Sequence, residues 1–351
     1  MSKLNLEPLN AWNPPSNWMK IRTLDAHCAG EPLRIILSGI PHIPGKTILE
    51  KRQYALKHID NLRRFIMLEP RGHSDMYGCI LVEPTIPDAD FAMLFMHNEG
   101  FSTMCGHGII AMTTVAVETN LIPLKMPTTT ILFETPAGIV RAFADIESGR
   151  VTRSRFRNVP SFVLARDQLI DIPGIGEIKY DIAFGGAFYA LVAARDLGIS
   201  MIPDEIQRII DIGMQIKRTI QKQYPVEHPE HSDLSFLYGT IFTGASLSES
   251  ADSRNVCIFA DGEVDRSPTG TGVSARLALL YAKNELGLGE TITIESIIGT
   301  RFSGSIIAET TVGTFESIIP EISGRATIIG KHEFILDPED DIQDGFILGP
   351  C

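Results

Sequence analysis

Paired cysteines, basic runs and long apolar stretches are all missing from this 351-residue chain. Its five cysteines, Cys28, Cys79, Cys105, Cys257 and Cys351, are odd in number, and no two stand as CxxC. A disulfide framework and a structural zinc site are therefore not expected. The histidines are scattered without an HExxH, so no catalytic metal is expected either. No basic stretch is longer than Arg63-Arg64, and the formal net charge is −12. A polyanion would be repelled on average, which argues against nucleic-acid binding. A small anionic substrate is still allowed, because a local site can be positive on an acidic protein. No run reaches the roughly 18 apolar residues of a membrane span. The opening MSKLNLEPLNAW lacks a charged start followed by an apolar run, so no signal peptide is expected. Together these absences point to a reduced, cytoplasmic protein.

What is present is ordinary for a globular protein: 44% hydrophobic and 21% charged residues. The length suggests two domains or two halves. Residues 1–20, with Pro14, Pro15 and both tryptophans, read as an irregular arm. Strands are expected at Ile21–Asp25 and Leu33–Leu37. Thr47 and Glu50 have capping-box spacing. Ile48, Ala55, Leu56, Ile59 and Leu62 then suggest an amphipathic helix. A second such helix is expected from about Asp204, with Ile206, Ile209, Ile210, Ile216 and Ile220 on its stripe. The polar loop between Tyr224 and Asp233 holds His228 and His231, which are expected to be solvated. β-Branched runs such as Thr130–Phe133, Val256–Phe259 and Thr291–Ile294 read as strands, giving an α/β (α+β) class.

Two segments do not look like surface helices. Gly106–Glu118 (GHGIIAMTTVAVE) and Gly270–Lys283 (GTGVSARLALLYAK) are small or apolar around most of their circumference, and each begins Gly-x-Gly. Such helices are enclosed by other structure. Aligning Cys105 with Thr269 gives an offset of 164 residues. Glu134 and Gly138 align with Glu295 and Gly299 at an offset of 161, and Asp25 and Gly30 with Asp181 and Gly186 at 156. Landmarks in the same order with slowly drifting offsets imply an internal repeat. The halves are read as 21–150, with 306–351 crossing back to it, and 151–305.

A helix start carries unpaired N–H groups and partial positive charge, and glycine lets an anion approach it. Two facing starts, at Gly106-His107 and Gly270-Thr271, could share one carboxylate. Cys105, just before the first, is expected to have a lowered pKa and to act as base or nucleophile. The alternative is a buried structural cysteine. His107 either lines the site or is a satisfied core histidine. Asp265 either binds an ammonium group or caps local N–H groups. Two other patterns carry no chemistry. Gly39 to Thr47 has five residues between its glycines, not four, and its prolines remove donors that a phosphate would need. His73-Ser74-Asp75 has triad residue types without triad geometry.

MCGHG (Met104–Gly108) and DRSPTGTG (Asp265–Gly272) resemble the paired signatures of the proline racemase family. GEP (Gly30–Pro32), RGHSDMYG (Arg71–Gly78), FGGAFYA (Phe184–Ala190), GTRFSG (Gly299–Gly304) and the closing FILDPEDDIQDGFILG (Phe334–Gly349) resemble further family blocks in the expected order. The resemblance implies two pseudo-symmetric halves of the diaminopimelate-epimerase type, each a curved sheet or barrel around a central helix. Substrate would bind between them. It also implies a homodimer, a small cyclic amino acid as substrate, and no cofactor or metal. Racemases and 4-hydroxyproline epimerases of the family have a second cysteine where this chain has Thr269. The Cys–Thr combination is similar to that of trans-3-hydroxy-L-proline dehydratases. The resemblance thus implies dehydration with Cys105 as proton acceptor. Gly106, His107, Gly270 and Thr271 would hold the carboxylate and Asp265 the ring ammonium. Thr269 would fill space or hydrogen-bond on the opposite face. The alternatives are a proline or 4-hydroxyproline racemase or epimerase, and an inactive amino-acid-binding protein.

Overall fold

The computed structural model describes residues 4–348. Cys351 and the last residue of the closing family block, Gly349, lie outside the described residues. The arm contains a short helix, α1 (Glu7–Ala11), with no buried residue, and Trp12 meets Trp18 edge to face.

The first unit then runs β1 (Met19–Cys28), β2 (Glu31–Ser38), α2 (Ile48–His58), α3 (Asp60–Met67), β3 (Tyr77–Val82), β4 (Phe91–His97), β5 (Phe101–Ser102), α4 (Gly106–Glu118), β6 (Thr128–Thr135), β7 (Gly138–Glu147) and β8 (Arg150–Arg157). The second runs β9 (Ser161–Ile172), β10 (Gly176–Phe184), β11 (Phe188–Ala193), α5 (Ile206–Gln223), β12 (Leu237–Gly244), β13 (Ser253–Phe259), β14 (Glu263–Val264), α6 (Gly270–Ala282), β15 (Thr291–Glu295), β16 (Arg301–Val312) and β17 (Phe315–Gly324). Last comes β18 (Ala326–Leu336), which pairs antiparallel with β1 as β9 does with β10.

The pairings repeat step for step. β1–β2 is antiparallel, β2–β3 parallel, β3–β4 and β4–β5 antiparallel, β4–β6 parallel, then β6–β7 and β7–β8 antiparallel. β10 to β17 follow the same succession. The internal repeat expected from the landmarks is therefore the fold itself. Glu134 and Glu295, near the ends of β6 and β15, have the same role. Each carboxylate takes a loop N–H, from Thr85 and Leu247 respectively, at 2.6 Å. The two units are joined where β17 pairs with β8, and β17 also pairs with β9 within the second unit.

Each sheet curls around its apolar helix. α4 packs on β1, β2, β6, β7, β8 and β18, and α6 on β9, β10, β11, β16 and β17. Every α4 residue but Glu118 is buried, as its all-round apolar surface requires. The outer helices are amphipathic. Thr47 caps α2 by accepting the Glu50 N–H at 3.1 Å. The expected single helix breaks at Ile59, whose φ of −131° leaves the helical region. Leu56, placed on the apolar stripe by the sequence, is exposed on the neighbouring face. In α5, Ile209, Ile216 and Ile220 are buried, and Asp204 lies in the 3₁₀ turn that precedes the helix.

His228 departs from expectation. Its imidazole packs against Phe162, Phe184 and Phe188, with ring centroids 5.7, 4.8 and 6.2 Å away. Burial in this aromatic cluster pushes its pKa down to about 4. Among the described residues no helix is long and apolar enough to cross a membrane.

Candidate active site

The starts of α4 and α6 abut. A methyl group at Gly106 would stand 2.6 Å from the Gly270 Cα, and one at Gly270 would stand 2.7 Å from the Gly106 Cα. Only glycine permits this approach, which converges two sets of first-turn N–H groups on one point. The third residue of each Gly-x-Gly has a different task. A methyl at Gly108 would meet the Cys105 Sγ at 2.9 Å, and one at Gly272 the Thr269 Cγ2 at 3.0 Å. Its absence leaves room for the N-cap side chain beside the first turn.

Cys105 is the N-cap of α4, with extended φ and ψ of −142° and 107°. Its Sγ accepts the Gly108 N–H at 3.2 Å and lies 3.2 Å from His107 Nδ1. Sequence spacing left a Cys–His pair open, because helical neighbours diverge. The pair forms because Cys105 stands outside the helix. His107 is buried, edge-on to Tyr77 with ring centroids 4.8 Å apart. Burial pushes its imidazole below the usual range, so it is held neutral.

The expected acidity of Cys105 is corrected. Burial raises its pKa well above that of a free thiol. The Gly108 N–H works in the opposite direction, and the carboxylates of Asp265 and Glu31 add to the rise. Desolvation and two nearby acids outweigh the helix start.

Thr269 occupies the matching N-cap of α6 but caps nothing. Its φ is +68°, and its buried Oγ1 has no hydrogen-bond partner among the described residues. Thr271 follows with its hydroxyl 2.7 Å from the Tyr189 Oη. Asp265 Oδ1 accepts the Ser267 N–H at 2.7 Å, so the local capping expected of it is real, and its carboxylate also faces the cavity.

Cys105, Gly106, His107, Asp265, Thr269, Gly270 and Thr271 thus meet around one cavity, closed further by Tyr77, Met104, Tyr189, Tyr238 and Phe259. Its volume is about 20 Å³, room for about one water. A ring-sized ligand requires the walls to part. Sequence reasoning missed the three tyrosines and Glu31. Tyr77, Tyr189 and Glu31 lie in the RGHSDMYG, FGGAFYA and GEP blocks, which were the available signal. Glu31 is fully buried, and its Oε2 accepts the Arg266 N–H at 2.7 Å, tying β2 to the loop before α6. Burial raises its carboxyl pKa well above the usual range, with Asp265 adding to the rise. No His, Cys, Asp and Glu cluster suited to a metal occurs among the described residues.

This geometry sets one sulfur beside two converging helix starts. The sequence matches the proline racemase family over residues 23–347. A trans-3-hydroxy-L-proline dehydratase of Bacillus thuringiensis subsp. konkukian is 47% identical over 327 residues, 93% of this chain and 98% of that one. A 3-hydroxyproline 2-epimerase of Burkholderia multivorans is 42% identical over 328 residues, again covering 93% and 98%. A solved hydroxyproline epimerase of Agrobacterium vitis, with trans-4-hydroxy-L-proline bound, superposes with a TM-score of 0.88. It is 34% identical, and the match covers 94% of this chain and 96% of that one. The chain belongs to the proline racemase family.

Proposed function

We propose that the protein is a cofactor-independent lyase that dehydrates trans-3-hydroxy-L-proline to Δ1-pyrroline-2-carboxylate. The observation that carries this reading is Thr269. Its position mirrors Cys105 across the site, yet it offers a hydroxyl where inversion needs a second acid. A hydroxyl is far less acidic than a thiol and is a poor proton donor or acceptor near neutral pH. Elimination needs only one base at the α-carbon.

In this mechanism the substrate carboxylate lies at Gly106-His107 and Gly270-Thr271, where the helix starts stabilise the charge that develops on deprotonation. Asp265 holds the ring ammonium. That pairing cancels the repulsion through which Asp265 raises the Cys105 pKa, so bound substrate helps to generate the thiolate. His107, 3.2 Å from Sγ, takes the thiol proton. The thiolate then removes the α-proton, and the 3-hydroxyl leaves as water. The resulting enamine tautomerises to the cyclic imine.

Two relatives, one named for dehydration and one for 2-epimerisation, define the test. The protein is incubated in deuterated water with trans-3-hydroxy-L-proline, trans-4-hydroxy-L-proline and L-proline, and products are followed by NMR. Imine from the 3-hydroxy compound alone is expected, and Cys105→Ser should abolish it. Deuterated D-proline or an epimerised hydroxyproline, with no imine, would sink the reading.

A further inference from the structure

The repeat can be followed residue by residue on both sides of the cavity. Gly78, Met96 and Phe101 face one another across β3, β4 and β5, as Gly239, Phe259 and Glu263 do across β12, β13 and β14. The residue before each glycine is a tyrosine, Tyr77 in the first unit and Tyr238 in the second. Both line the cavity. The residue after Phe101 is Ser102, but the residue after Glu263 is Val264. Tyr77 Oη is accordingly hydrogen-bonded to Ser102 Oγ, whereas Tyr238 has no serine beside it and its buried hydroxyl lies against Tyr77 itself. The two faces of the site therefore differ twice. The first unit has Cys105 with a Tyr–Ser pair, and the second has Thr269 with a tyrosine that lacks a serine partner.

Stereochemistry gives this asymmetry a use. In trans-3-hydroxy-L-proline the carboxylate and hydroxyl lie on opposite ring faces, so the α-hydrogen and hydroxyl share a face. A base at Cys105 places that face against the first unit. Hydroxide is a poor leaving group and needs a proton as it departs. His107 is already engaged with the Cys105 sulfur.

We propose that Tyr77, held by Ser102, hydrogen-bonds the substrate 3-hydroxyl and gives it the proton with which it leaves as water. This rests on the dehydratase reading. Ser102 Oγ–H donates to Tyr77 Oη, which turns the phenolic O–H toward the cavity. The α-carbon–hydrogen bond breaks and its proton goes to the Cys105 sulfur. The electron pair forms the ring double bond, and the C3–O bond breaks toward oxygen. Tyr77 protonates that oxygen, and the Cys105 thiol then returns the proton to the Tyr77 phenolate. The net change is loss of water, with both residues restored. Burial raises the Tyr77 pKa well above that of a free phenol, so the group is a proton donor across the working pH range.

Tyr77→Phe tests this with trans-3-hydroxy-L-proline in deuterated water, reading imine formation and α-deuteration of recovered substrate separately. Imine formation should fall by about 10²–10⁴-fold, the usual contribution of a positioned acid. Recovered substrate should gain α-deuterium, because Cys105 still removes the proton. Ser102→Ala should lower imine formation with the same gain of label. Imine formation within threefold of wild type in Tyr77→Phe overturns the proposal, as does equal loss of imine and α-exchange. A wild-type protein that makes no imine removes the dehydratase reading itself.

Discussion

Replacing Thr269 by cysteine tests whether acidity alone separates this site from a two-thiol site. Thr269 is a β-branched residue at a φ of +68°, a conformation such residues adopt poorly. Its buried Oγ1 is unpartnered, and such a group costs about 1–3 kcal/mol. Cysteine, which is not β-branched, eases the first penalty, removes the second and loses one methyl group, worth about 0.8 kcal/mol of burial. The variant should therefore be neutral or up to about 2 kcal/mol more stable. Chemically, it places a second thiol at the second helix start, in the same closed cavity as Cys105. A positioned acid is worth about 10²–10⁴-fold, so conversion of L-proline to D-proline should rise by that factor over wild type. Chiral chromatography of the products, with thermal unfolding alongside, reads both effects. A folded variant that still dehydrates but gives no inversion would mean that geometry rather than acidity blocks the second proton transfer.

Gly106→Ala drives a methyl group into the Gly270 backbone at 2.6 Å, which should cost about 1–3 kcal/mol of stability in a melting experiment. Parting the helix starts by about 1 Å should lower kcat/KM by about 10²-fold, and wild-type values of both would contradict the contact. The raised Cys105 pKa predicts that alkylation mapped to this residue climbs about tenfold per pH unit through neutrality, without levelling. Asp265→Asn should speed it at any given pH, and a plateau by about pH 7 in wild type would contradict the assignment. Glu31→Gln probes linkage. A carboxyl whose folded pKa is raised contributes its stability below the unfolded pKa and loses it as pH rises toward the folded one. The glutamine variant should gain on wild type as pH rises above about 4.3, by up to about 1.4 kcal/mol per unit in chemical unfolding. A pH-independent difference would exclude a raised Glu31.

Much of the architecture was legible without coordinates, because its signals are local. The all-round apolar surfaces of Gly106–Glu118 and Gly270–Lys283 announced enclosed helices, and ordered landmarks announced the repeat. Thr47 and Glu50 marked a helix start through bonds that span only three residues. The paired signatures placed Cys105 opposite Thr269, and with them the choice between one sulfur and two. Even here local pattern erred where neighbours in space mattered. Leu56 lies outside, and His228 is half-buried among phenylalanines that its own loop does not contain.

The site's chemistry was decided by tertiary structure. Cys105 was expected to be acidic because helix-start charge acts within one turn. Its pKa is raised instead, because desolvation depends on the whole enclosure and because Asp265 and Glu31 arrive from distant segments. The Gly106–Gly270 contact, the unpartnered Thr269 hydroxyl and the Tyr77–Ser102 pair likewise join residues that no sequence window holds together. Sequence alone determined that one face carries a thiol and the other a threonine. Only the folded chain decided how hard that thiol is to ionise, and what stands beside it, since both depend on packing and dielectric surroundings rather than on chain neighbours.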